Sequence, residues 1–206
     1  YTTLFRSHGP KKPKTLVVTG RTQKKIDMAA RLYTVEEAKK NGVKLVYVNT
    51  RDIVDVNKEL RKYSEKGFDD VFIFAPNEEM VTYGVKMLAF DGCLNFFSGP
   101  ADQEFSSRVN FYNIHYNSTH FVGTSGGNTE DMKQSIELIE SKTVNVAKIA
   151  THILGLDHAV ETTKALPELE GSKKIVYTHK KFPLTEVDKF DENSDDKYIR
   201  ELKSID

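Results

Sequence analysis

Leu16–Val17–Val18–Thr19–Gly20–Arg21–Thr22, followed by a helix-periodic run from Gln23 to about Lys40, decides how this chain reads. A short β-branched strand ends on Gly20, and a guanidinium and a hydroxyl sit in the turn that opens a helix. In a dinucleotide-binding α/β fold such a strand end lies beside the adenosine ribose, where a carboxylate would accept hydrogen bonds from the ribose hydroxyls. Here Gly20 stands in its place, with Arg21, Thr22, Lys24 and Lys25 next to it. A 2′-phosphate needs cations, donors and room, and repels carboxylate, so the turn predicts preference for the 2′-phosphorylated dinucleotide, NADP over NAD. The same residues also fit a solvated basic turn of any α/β protein.

Working outward, strands alternate with helices. Lys44–Asn49 is a strand, Asp52 opens a helix carrying Ile53, Val56, Leu60 and Tyr63, and Gly67 ends it. Asp70–Ala75 is a continuous apolar run of the kind buried on both faces of a parallel sheet. Pro76–Asn77 breaks it, and a helix from Glu78 turns Met80, Val81, Val85 and Leu88 inward. Asp91–Gly92 reads as a turn before the strand Cys93–Phe97, which stops at Ser98–Gly99–Pro100. Ala101–Arg108 is a polar loop and Val109–Tyr116 reads as strand or extended chain. Thr119–Gly123 is a strand closed by Thr124–Ser125–Gly126–Gly127. Asn128 or Thr129 then caps a helix through Met132, Ile136 and Ile139. Val144–Ile153 reads as mixed and extended, Asp157–Leu166 as a short helix, and Lys174–Thr178 as a last strand. The charged tail beyond His179 predicts exposure, with one helix near Lys197–Ser204.

The bulk composition narrows the classes. With 206 residues, 38% of them hydrophobic, the chain can build one good core or a core and a small appendage. Thirty basic residues balance thirty acidic ones, so no global field points to nucleic acid or membrane as a partner. No apolar run reaches the ~20 residues that a membrane span needs. The single cysteine, Cys93, excludes an intrachain disulfide and a multi-thiolate zinc site, and fits a reducing, cytoplasmic setting. Cys93 lies in a strand and reads as an inert buried thiol. The six histidines (His8, His115, His120, His152, His158, His179) have no ligand spacing, so no residue is assigned to a metal and none to catalysis.

Five segments carry a resemblance: LVVTGRTQKKIDMAA (16–30), GFDDVFIFAPN (67–77), MLAFDGCLNFFSGP (87–100), HFVGTSGGNTEDMKQSIELIES (120–141) and LGLDHAVETTKALPELEGSKKIVYTH (154–179). Their order and spacing resemble the cofactor-binding half of the medium-chain dehydrogenase/reductase family, the zinc-dependent alcohol and polyol dehydrogenases. With YTVEEAKKNGVKLVYVNT (33–50), the likeness is greatest to the sugar-phosphate branch. The resemblance implies an incomplete Rossmann doubly wound parallel sheet lacking its first strand, plus a C-terminal return segment of a catalytic domain. The family's G-x-G-x-x-G fingerprint, expected just before residue 15, is absent from the sequence. The division expected is 1–14, a non-native leader and loop (Tyr1–Ser7 resembles translated adapter sequence); 15–143, a truncated NAD(P)-binding domain; 144–179, the return segment; and 180–206, the charged tail.

The resemblance also implies roles, residue by residue. Gly20, Arg21 and Thr22 would meet the adenosine ribose, with Lys25 beside them; Ala75, Pro76 and Asn77 the adenine. Ser98, Gly99 and Pro100 would run along the nicotinamide, with Thr124, Ser125 and Gly126 flanking the same ring, and Lys174 would reach the pyrophosphate. Each set has a plainer alternative: a turn made by Pro76, strand-to-loop bends in which glycine supplies positive φ, a solvated lysine. The implied chemistry is NADP-linked (or NAD-linked) hydride transfer on a sugar phosphate or polyol, with zinc held by a preceding catalytic domain and a homo-oligomer at full length. Rival readings are an NAD-linked polyol or alcohol dehydrogenase, a zinc-free quinone-reductase relative, and a non-catalytic nucleotide-binding module. Without the family's first strand, the family's second must pair with its fourth, or the sheet splits; the strand at Lys174–Thr178 is expected to lose its partner. This chain alone is expected to aggregate readily and not to turn over substrate.

Overall fold

A computed structural model describes residues 12–123 and 125–189. They fall into two compact units divided between Thr143 and Val144. The first unit begins with β1 (Thr15–Gly20), α1 (Gln23–Leu32), α2 (Val35–Lys40) and β2 (Lys44–Asn49). The single helix expected from Gln23 to Lys40 is two helices. Thr34 caps α2 by accepting from Glu37 N at 3.1 Å. The Tyr47 hydroxyl, donating from β2, lies 3.1 Å from Ala29 O and 2.8 Å from Tyr33 O at the end of α1. Ala29 O also takes Tyr33 N at 2.9 Å, so the phenol caps the last turn of α1; partial burial, with Tyr33 adding to it, pushes the Tyr47 hydroxyl up to about 12.

α3 (Val56–Arg61) is shorter than expected, because Asp55 and not Asp52 is its cap, accepting from Lys58 N at 2.9 Å. Gly67 then turns the chain at φ 99°, where a Cβ would sit 2.8 Å from the Leu88 backbone. β3 (Phe68–Ile73) leads through the Asn77 cap into α4 (Glu78–Met87) and β4 (Leu88–Phe96). The turn expected at Asp91–Gly92 is a kink inside β4, with Asp91 at φ 59° and the β3–β4 register shifting opposite it. Val109–Tyr116 is not extended: it forms the short helix α5 (Phe111–Tyr116), capped by Asn110. β5 (His120–Gly123) follows, and then α6 (Thr129–Glu140), where Asn128 and Asp131 form a reciprocal capping box. Met132, Ile136 and Ile139 on α6 are exposed, although their spacing reads as a core stripe.

Strand pairing takes the split form. β1 and β2 make one parallel pair, and β3, β4 and β5 a second parallel sheet in that order. One cluster nonetheless joins them: Val48, Leu60 and Met87 pack with Val17, Val46, Phe68 and Val71. Leu16, Val18 and Tyr47 meet Ala38, Val43 and Leu45 on the other face of the two-stranded sheet. α4 covers one face of the three-stranded sheet, where Ile73, Val81, Val85, Leu88 and Leu94 close a core, each large side chain contributing about 2 kcal/mol of burial. β3 is not the doubly buried strand expected, since only Ile73 of its residues is buried.

The second unit holds β6 (Ala150–Gly155), α7 (Ala159–Ala165), β7 (Lys173–Tyr177) and β8 (Thr185–Glu186). β7 keeps a partner, running parallel to β6, and it is not the last strand, because β8 pairs antiparallel on the other side of β6. Leu154 on β6 is fully buried, and Ile153 packs on Phe182. The tail helix expected at Lys197–Ser204 and the leader at Tyr1–Ser7 lie outside the described residues.

Candidate functional site

Within each sheet, parallel pairing puts the carboxyl ends of neighbouring strands on one edge, and most of the candidate residues lie at the ends of two separate sheets. β1 ends at Gly20, whose carbonyl accepts from Thr50 N at 2.8 Å beyond the end of β2. A Cβ on Gly20 would come within 3.0 Å of the tip of the Ile26 side chain, so α1 is seated close over the end of β1. Arg21, Thr22 and Lys25 follow, all exposed. Thr22 occupies the N-cap position of α1, but its hydroxyl makes no capping bond; only its carbonyl is engaged, by Lys25 N at 3.0 Å and Ile26 N at 3.2 Å. The first turn of α1 contains no acidic residue. The β1 end therefore offers a guanidinium, a hydroxyl free of capping duty and the positive end of a ten-residue helix, a donor set suited to phosphate oxygens.

The C-terminal end of α4 shares a core with β2, through Met87 and Val48. The Tyr83 hydroxyl donates to Glu79 Oε1 at 2.8 Å. That bond holds Tyr83 above the ordinary phenol range, partial desolvation and the charges of Glu79 and Asp55 add to it, and Arg21 opposes. Tyr83, Glu79 and Asp55 were not among the residues singled out in the sequence; the i,i+4 spacing of 79 and 83 on one helix was the available signal. Asn77 is occupied as the cap of α4, its Oδ1 accepting from Met80 N at 3.0 Å, while Pro76 beside it is exposed.

The second sheet has its own carboxyl edge, at the ends of β3, β4 and β5. Phe97 N donates to Ile73 O at 2.9 Å, so the end of β4 is tied to that of β3 just before Ser98–Gly99–Pro100. Nothing lies within 4 Å of where a Cβ on Gly99 would point, and Gly99 does not take positive φ. β5 ends at Gly123 opposite Phe96, and Ser125 and Gly126 follow, both exposed, with Gly126 at φ 81°. Thr124 lies outside the described residues. Lys174 belongs to the second unit, where its ammonium donates to Glu170 O at 2.9 Å and Ser172 O at 3.1 Å.

The residues at these strand ends fit a nicotinamide dinucleotide in part: open glycine turns after β4 and β5, and donors and a cation after β1. A catalytic zinc does not fit these residues. Among the described residues, no three of His, Cys, Asp and Glu come together as a metal site. Among the same residues, no helix is long and apolar enough to cross a membrane.

Comparison with known proteins gives the family. Residues 15–141 match the zinc-binding dehydrogenase family. The chain is 48% identical over 181 residues to L-sorbose 1-phosphate reductase of Klebsiella pneumoniae, covering 88% of this chain and 43% of that protein. It is 40% identical over 203 residues to mannitol-1-phosphate 5-dehydrogenase of Aliivibrio fischeri, covering 98% of this chain and 48% of that one. The chain therefore spans about half the length of the curated relatives it matches. Among solved structures, 2R,3R-butanediol dehydrogenase of Bacillus subtilis superimposes with a TM-score of 0.66 at 14% identity, over 85% of this chain and 47% of that chain, a likeness of fold. Matched over its strand-and-helix core and in its sequence to these relatives, the chain belongs to the zinc-binding dehydrogenase family.

Proposed function

We propose that this chain forms part of the dinucleotide cradle of an NADP-linked dehydrogenase acting on a sugar phosphate or polyol. One observation carries the reading: β1 ends on glycine, with Arg21 and the uncapped hydroxyl of Thr22 at the start of a helix that has no acid in its first turn. A ribose 2′-phosphate placed there would meet the Arg21 guanidinium and the Thr22 hydroxyl, with Lys25 one turn along and the α1 dipole favouring the anion. Pro76 and Asn77 would flank the adenine. Ser98, Gly99 and Pro100, with Thr124, Ser125 and Gly126, would line the nicotinamide, where exposed backbone groups can bond the carboxamide. The substrate class rests on the two relatives, one named for a sorbose phosphate and one for a mannitol phosphate. A nicotinamide held there would supply or take the hydride. This chain's own residues bind and orient it, and no proton transfer is assigned to any of them.

Titrating the chain with NADPH and NADH tests the reading. NADPH is expected to bind at least tenfold tighter, and Arg21→Ala to remove most of that difference, the scale of one charge-assisted contact to phosphate. Equal affinities in the unaltered chain would instead assign it to the NAD-linked branch. Turnover of a sugar phosphate by this chain alone would refute its expected inactivity.

A further inference from the structure

The loop after β4 is fastened at two places to the core beneath it. At its start, Phe97 N holds Ile73 O. At its end, Phe105 turns down onto the cluster of Ile73, Val81, Val85, Leu88 and Leu94, its ring stacked on Phe96 at 5.8 Å. Two residues later, Ser107 Oγ lies 3.2 Å from Glu78 O and 3.2 Å from Thr82 Oγ1, both on α4. Proton bookkeeping orients this chain of bonds. A carbonyl only accepts, so Ser107 spends its one proton on Glu78 O, and Thr82 must donate to Ser107. Such a relay is directional and satisfied at both ends, and it crosses 25 residues of sequence to tie the loop to the helix that begins at Asn77.

We infer that Thr82 and Ser107 are positioning residues that hold the Ser98–Gly99–Pro100 turn at a set height over the strand ends, relative to the adenosine side of the site. The inference rests on the dinucleotide reading above. Between the anchors at Phe97 and Phe105, residues 98–104 form a short span whose open side is at Gly99. Phe105 fixes how deep the span sits, and the Thr82–Ser107–Glu78 relay fixes where it lies along α4. Neither hydroxyl touches cofactor in this scheme. Losing the relay would let the turn drift, costing contacts to the nicotinamide half and none to the adenosine half.

The test is calorimetric titration of the chain with NADPH and, separately, with adenosine 2′,5′-bisphosphate, which lacks the nicotinamide half. Ser107→Ala and Thr82→Val are each expected to weaken NADPH about fivefold, the scale of one hydrogen bond, and to leave adenosine 2′,5′-bisphosphate unchanged. Thr82→Ser, which keeps the donor, should bind NADPH as the unaltered chain does. Equal losses for both ligands, or no loss for either, would overturn the positioning role and leave the dinucleotide reading standing. An unaltered chain that binds the bisphosphate as tightly as NADPH would also overturn it. A chain that binds neither ligand would overturn both readings.

Discussion

The two sheets of the first unit are built from similar strands and finished differently. β1 and β2 are covered on both faces, Leu16 and Val18 meeting the α2 side, and Val17, Val46 and Val48 the α3 and α4 side. β3, β4 and β5 are packed by α4 on one face only. On the other, Phe74, Phe97 and Val122 are 55%, 49% and 45% exposed. An apolar strand thus states how much surface it could bury, not how much it does; the layer laid against it decides that. The candidate site follows the same division. At β1 the turn is seated by a helix pressed on Gly20, whereas at β4 the turn is held from a distance by Phe105 and a hydroxyl relay.

Three measurements test this contrast. Leu94→Ala removes a side chain only 2% exposed, at the centre of the covered face, and should cost about 3 kcal/mol in urea unfolding. Phe74→Ser, one strand away on the open face, should cost under about 1 kcal/mol although it removes a larger side chain. Similar costs at the two positions would mean that the open face is covered after all. Tyr47→Phe tests the two-sided packing of the smaller sheet. It deletes the donor shared by Ala29 O and Tyr33 O and should cost about 1 kcal/mol in the same assay, leaving the β3–β5 sheet intact.

The smallest effect is expected in the second unit, where β6 is flanked by both β7 and β8. His152 there is buried, with Nδ1 at 3.1 Å from Thr151 Oγ1. Burial first, and then the charge of Lys174, hold its imidazole below the usual histidine value; Glu186 opposes and Lys189 reinforces. The folded unit therefore prefers the neutral ring, and the unfolded chain binds more protons once the pH falls below about 6.5. Stability should be full above that pH and decline below it until the folded ring also titrates. Thermal unfolding followed from pH 7.5 to 5 should show that slope in the unaltered chain and a flatter one in His152→Gln. An identical slope in both would remove His152 as its source.

Much of the candidate site was legible because it consists of strand ends. A β-branched run stopping at Gly20, Phe97 before Ser98–Gly99, and Val122–Gly123 before a glycine turn each announce where a strand stops, and parallel pairing sets the last two on the edge of one sheet and the first on that of another. What escaped the sequence depended on distant partners. The break after Leu32 needs Tyr47, and the cap at Asp55 needs α3 to start later than its apolar spacing indicates. The helix at 111–116 was hidden by aromatic residues that read equally well as strand. Periodicity reports which side chains could share a face, and cannot report whether a neighbouring element is present to cover it.

By itself the sequence determined the alternation of strands and helices, the basic, carboxylate-free turn at Gly20–Thr22, and the family, since each is written in contiguous residues. Tertiary structure alone decided that the sheet divides between β1 and β3, that β7 finds β6 and β6 finds β8, and that Thr82 meets Ser107. Those outcomes are contacts between segments far apart in the chain, set by which edges and faces are left to satisfy one another once the local elements have formed.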